Sequence, residues 1–154
     1  MTDSDSPFSY EQPKLSPGYG LWLVSNRWQR LINQALAPLE LTHLQFVLLA
    51  SLGWLSRAPG TVVTQVQLAR HAGSEAMTTS NALKLLERKT WVERRPHPTD
   101  TRANVLSLTP SGRALMAEAV RRVEATDRAF FGRLGEGGEA AILKAFSQLL
   151  DTSD

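Results

Sequence analysis

Residues 64–108 constrain the fold more than any other stretch of this 154-residue chain. Two short helical patterns separated by Gly73 are followed by two strand-like segments on either side of a Pro-His-Pro-Thr-Asp-Thr loop. The first helix opens with Thr64-x-x-Gln67, a spacing at which threonine and glutamine side chains each satisfy a free backbone N–H. Val66, Leu68, Ala69 and Ala72 are its predicted inward residues. Ser74 is placed to cap a second helix over about 75–90, and Trp91–Arg95 and Ala103–Leu108 have strand composition. Further helical patterns are expected on either side of this segment.

The flanks contain them. Ser16-Pro17 is a cap followed by proline at the first helical position. Leu21, Val24, Trp28, Leu31/Ile32 and Ala35 then recur at helical spacing to about Ala37, before Pro38. A second capping box, Thr42-x-x-Gln45, opens a helix to about Leu55. Leu44, Phe46, Val47, Leu48, Leu49, Leu52 and Trp54 make it apolar almost all round, which predicts burial. Thr109-Pro110 starts a long helix through Leu115, Val120, Val123 and Phe130. Gly135, Gly137 and Gly138 interrupt it, and a last helix carries Ala141, Ile142, Ala145, Phe146 and Leu149. The fold class is therefore mainly α with a small β-hairpin wing (α+β): a flexible arm over 1–15, then a single domain over 16–154.

Composition narrows the function classes. With no cysteine, the chain has no disulfide, thiolate nucleophile or thiol redox sensor. Phe46–Leu55, the most apolar run, falls well short of the ~20 residues of a membrane span. The polar, acidic start Met1-Thr-Asp-Ser-Asp-Ser is unlike a signal peptide, so a cytoplasmic protein without membrane contact is expected. His43, His71 and His97 lie in different elements without metal-ligand spacing, so no metal and no cofactor is expected. No serine–base pair or glycine-rich phosphate loop suggests an enzyme.

Charge is unevenly spread. Residues 18–113 carry eleven Lys/Arg against five Asp/Glu, while the segments before and after are each net −2. Positive charge thus concentrates around the two short helices and the hairpin, as binding to phosphate would require. At about 100° per residue, Thr79, Ala82, Leu83 and Leu86 share one face of the second helix. Met77, Asn81, Lys84 and Arg88 share the opposite face, with Thr78 and Ser80 beside them. Asn pairs with adenine, Lys reaches guanine or phosphate, and Met or Thr methyls touch thymine. The hairpin adds Arg94, Arg95 and Arg102, with His97 at the tip, as cations on a projecting loop suited to a minor groove. Asp100 is expected to orient the Arg102 guanidinium by a bidentate pair. This order of elements is that of a winged helix-turn-helix over about 42–108, whose second helix enters the DNA major groove.

The run from Leu86 to Gly112, with its Asp100-Thr-Arg102 wing and Leu108-Thr-Pro-Ser-Gly112, resembles the wing signature of the MarR (multiple antibiotic resistance regulator) family. Leu41-Thr-His-Leu-Gln-Phe46 is similar to that family's second helix. The resemblance implies a homodimeric transcription regulator, more often a repressor than an activator, that binds double-stranded DNA. It implies dimerisation helices at about 16–38 and 110–151, and matches Arg102 to the wing-tip arginine, Asp100 to its partner, and Thr78 and Asn81 to recognition positions. It also implies an effector pocket beside the first two helices, where Trp22, Asn26, His43 and Phe46 would receive a small aromatic ligand. Thr90 departs from the family's usual glycine, and a β-branched residue at positive φ is strained. The competing reading is a winged-helix module that binds protein and not DNA. The polar Asn81/Lys84/Arg88 stripe argues against it.

Overall fold

The computed structural model describes residues 6–151. Six α-helices and a small sheet follow in the order α1 (Pro17–Leu36), α2 (His43–Leu55), β1 (Val63–Thr64), α3 (Gln65–Ala72), α4 (Ala76–Arg88), β2 (Val92–Pro96), β3 (Asn104–Leu108), α5 (Pro110–Phe131) and α6 (Gly138–Leu150). Short 3-10 turns lie at Pro13–Leu15, Ala37–Leu39 and Gly132–Leu134. The expected arm therefore ends in a turn, and its residues 1–5 lie outside the described residues. No single helix among the described residues is long and apolar enough to cross a membrane.

The helix starts are made where their side chains dictate. Ser16 accepts from the Tyr19 N–H, both Thr42/Gln45 and Thr64/Gln67 form complete capping boxes, and Thr109 accepts from the Gly112 N–H. Ser74 does not cap α4 as expected. Its N–H closes the end of α3 on the Ala69 carbonyl, and Glu75 takes the N-cap position without a side-chain bond. Gly73, at φ 62, supplies the left-handed residue of that closure.

The expected hairpin is part of a three-stranded antiparallel sheet, β1-β3-β2. On its central rung Leu106 of β3 faces Val63 on one side and Arg94 on the other. Ile32, Leu36, Leu48, Leu49, Leu52, Leu68, Leu83, Leu86 and Leu106 form the fully buried centre, so α1, α2, α3, α4 and the sheet share one core. Two residues predicted inward face solvent: Val66 is 69% exposed on α3, and Trp54 is 59% exposed on α2, where the Arg57 guanidinium lies 3.7 Å from its ring centre. α2 is thus buried on most faces rather than all, because its last turn passes the edge of the core.

Candidate nucleic-acid interface

α4 has one face in the core and one in solvent. Thr79, Ala82, Leu83 and Leu86 are buried. Met77 is 73% exposed, Thr78, Asn81, Lys84 and Arg88 are exposed beside it, and Ser80 is half-buried. Among the described residues, the Asn81, Lys84 and Arg88 side chains make no hydrogen bond or ion pair within the protein. The donors and acceptors of this stripe are free for an external partner.

The exit of α4 is a tight closure. Thr90 N–H donates to the Glu87 carbonyl (2.9 Å) and Trp91 N–H to that of Leu86 (3.0 Å), with Thr90 left-handed at φ 59. Threonine thus keeps the turn for which glycine would be unstrained. The Thr90 carbonyl in turn accepts the Thr109 and Ser111 hydroxyls at 2.7 and 3.2 Å, and Lys89 lies over the Trp91 ring. Gly112 packs so closely on the Trp91 carbonyl that a Cβ there would collide with it. These contacts fasten the end of α4 to the start of α5.

The wing cations differ from one another. Arg102 lies exposed in the loop between β2 and β3, and among the described residues its guanidinium has no partner. Asp100 does not pair with that guanidinium as expected. Its Oδ1 accepts the Arg102 backbone N–H at 3.0 Å, shaping the turn and leaving the Arg102 head free. The His97 ring is part of the same turn, its Nδ1 accepting the N–H groups of Thr99 (3.2 Å) and Asp100 (3.0 Å), so this nitrogen is engaged within the loop. Arg95 is exposed and pairs with Glu93 at 2.8 Å, a weak and exchangeable contact.

Arg94 is not on the loop and does not project. Its Nε and Nη2 donate to the Glu87 carboxylate at 2.9 and 3.1 Å, and its Nη1 donates to Gln65 Oε1 at 2.9 Å. The cause is strand alternation: Val92 and Arg94 share the inward face of β2, and Glu93 and Arg95 the outward one. Glu87 and Gln65, absent from the residues expected at the site, join Arg94 in this cluster at the base of the wing. The signal for it was available in that period-2 pattern.

Away from the wing, α1, α2 and α5 meet at a polar cluster. Trp28 Nε1 donates to Asp127 Oδ1 at 2.8 Å, and the His43 ring meets the Trp28 ring edge-on at 5.1 Å. Burial pushes the His43 pKa below its ordinary value, with the nearby Asp127 carboxylate opposing the shift. The ring beside His43 is therefore Trp28. Trp22, six residues and about 9 Å earlier along α1, is exposed. Asn26 and Phe46 are half-buried.

Comparison with known proteins agrees with this geometry. The MarR family model matches residues 49–103, from the middle of α2 to the wing. An uncharacterised helix-turn-helix transcriptional regulator of Bacillus subtilis, YdcH, is 41% identical over 122 residues, 79% of this chain and 82% of its own. The multiple antibiotic resistance protein MarR of Salmonella typhimurium is 32% identical, covering 66% of this chain and 67% of its own. A mutant MarR of Escherichia coli, in crystals with operator DNA, superposes with a TM-score of 0.80 at 26% identity, over 92% of this chain and 99% of that one. With its capped helix pair, its outward polar stripe and its wing, this chain belongs to the MarR family of winged helix-turn-helix transcriptional regulators, which act by binding DNA.

Proposed function

We propose that this chain is a homodimeric repressor of a palindromic operator, reading bases in the major groove with α4 and gripping the adjacent minor groove with Arg102. The observation that carries the reading is the pairing of two unengaged surfaces: the Met77/Thr78/Asn81/Lys84/Arg88 stripe and the free Arg102 guanidinium. A module built for protein contact would present an apolar face at α4. Each half-site would take one protomer, so the palindrome would mirror the two-fold axis, with the recognition helices about one turn of DNA apart. The dimer would form through α1 and the α5–α6 region (about 16–38 and 110–151), with the DNA-binding unit over about 42–108. Exposed Leu21, Trp22, Leu23 and Val24 on α1, and Leu143, Phe146, Leu149 and Leu150 on α6, support that division.

Control is proposed to lie beside the first two helices, where a small aromatic ligand would sit among Asn26, His43 and Phe46, with Trp22 at the rim. The support is the meeting of α1, α2 and α5 at the Trp28–His43–Asp127 cluster, where a bound ring would act on both the dimer helices and the DNA-binding unit. Such a ligand derepresses only in so far as it prefers the dimer that cannot bind DNA.

The test is selection of duplexes from a randomised pool, then titration of the winner at several salt concentrations. A palindrome is expected, with log affinity falling linearly in log salt. Asn81→Ala should cost about 1–3 kcal/mol and relax preference at one position per half-site. Arg102→Ala should weaken binding strongly without changing the preferred bases in the major groove. Failure to enrich any sequence would overturn the reading.

A further inference from the structure

Neighbouring arginines on β2 lead different lives. Arg95 points outward, is mostly exposed and holds a single contact to Glu93 on its own strand. Arg94 points inward, and its guanidinium places three N–H groups on two side chains from two other elements. The Arg94 and Glu87 side chains are only 25% and 27% exposed, so solvent screens this pair less than the Arg95 pair. Gln65 is the first residue of α3, directly after β1, and Glu87 lies in the last turn of α4. Since Val63 and Arg94 flank Leu106 on one rung, the base of the wing, the start of α3 and the end of α4 converge on one guanidinium.

We propose that Arg94 is a positioning residue for DNA binding, which sets the distance and angle between the α4 stripe and the wing tip by holding Glu87 and Gln65 to the root of the wing. The proposal rests on the DNA-binding reading above. Pairing with β1 and the buried Val92, Leu106 and Leu108 hold the root of the hairpin to the core, which still leaves freedom of angle between the sheet and the facing ends of α3 and α4, and with it in the position of Arg102 relative to Asn81. A planar fork that engages a carboxylate through two N–H groups and an amide through a third removes that freedom. Lysine, a point charge without a fork, cannot replace it. Arg94 also neutralises Glu87, which would otherwise bring a bare carboxylate to the end of the helix that approaches phosphate.

The experiment uses the full-length protein and the palindrome it selects. Arg94→Gln, Arg94→Lys and Glu87→Gln are each expected to lower affinity by about tenfold, with the salt slope unchanged. The double variant Glu87→Gln/Arg94→Gln should lose little more than either single one, since both remove the same contact. Because the chain has no cysteine, spin labels placed through Leu85→Cys and Pro98→Cys report the distance from α4 to the wing tip directly. A narrow distribution in the parent should broaden in Arg94→Gln and in Arg94→Lys, without DNA present. An Arg94 that contacts phosphate would instead lower the salt slope by about two, one for each protomer, tolerate lysine, keep its full effect in the Glu87→Gln background and leave the label distance narrow. That pattern would overturn the proposal while leaving DNA binding intact. A parent that selects no duplex would break the DNA-binding reading, and the label distances would still judge the positioning.

Discussion

Helices α4 and α6 are each 13 residues long, and they end in opposite states. α4 buries four residues against its own chain and leaves a polar stripe outside. α6 buries none: Leu149 and Leu150 are 77% and 78% exposed, and the helix packs within the chain chiefly on the Gly132–Leu134 turn. An apolar stripe on a helix says that a face needs cover and does not say where the cover comes from. For α4 it comes from α2, α3 and the sheet. For α6 the proposed source is a second copy, whose α1 and α6 would bring the matching apolar residues.

The largest effect should come from removing cover where the protein supplies it. Leu83→Ala on α4, at a fully buried site, should reduce the unfolding free energy by about 2–5 kcal/mol in urea titrations. Truncating Leu149 to alanine should change the stability of an isolated protomer far less. Equal losses at the two sites would mean that α6 is covered within its own chain.

Next in size is the change that denies α6 its external cover. The parent should sediment at about twice the chain mass of 17.0 kDa, and Phe146→Asp/Leu149→Asp should shift it toward the protomer mass. The same variant should lose far more affinity for a palindrome than for a single half-site, because its α4 is untouched. A double variant that remains fully dimeric would remove α6 from the interface and leave α1 to carry it.

The contrast between the helices also marks what was legible in the sequence. Helix starts were readable because a capping box is a local event: Thr42 with Gln45 and Thr64 with Gln67 need no information beyond three residues. The faces of α4 followed from periodicity alone. β1 is only two residues long and exists through its pairing with Val105 and Leu106, some forty residues away, so no local pattern announced it. Val66 and Trp54 were misplaced because an apolar residue at an element's end can lie past the edge of the core that its neighbours fill. At the interface, exposure was readable and partnership was not. Lys84 and Arg94 are both basic residues near the wing: the alternation of β2 turns Arg94 inward, and the fold alone supplies Glu87 and Gln65 as its partners while leaving Lys84 free.

A smaller effect belongs to the closure of α4. Gly73 and Thr90 hold equivalent left-handed positions after α3 and α4, at φ 62 and 59, and threonine alone carries a Cβ penalty there. Thr90→Gly should therefore raise the unfolding free energy by up to about 1 kcal/mol, with the operator preference unchanged. Destabilisation would show that the threonine side chain, whose hydroxyl donates to the Lys89 carbonyl at 2.7 Å, outweighs its backbone strain.

The smallest effect concerns His43, at the seam between the DNA-binding unit and the helices proposed to dimerise. Burial holds its pKa below the ordinary imidazole value of 6.5, and Asp127 opposes that shift without reversing it. Above that value His43 is neutral in both folded and unfolded chains, and it contributes no pH dependence. As pH falls through it, the unfolded chain takes up the proton first, so the folded state loses ground until its own lower pKa is reached. The melting temperature should thus fall on acidification below about pH 6.5, and His43→Gln should flatten that part of the profile. Because Asp127 partly offsets the burial, the slope should be shallow. Asp127→Asn should steepen it, since the folded state then has nothing to stabilise the imidazolium. A His43-dependent gain in stability on acidification would mean that the carboxylate outweighs burial, and that α1, α2 and α5 are drawn together by a charged pair rather than by packing around a neutral ring.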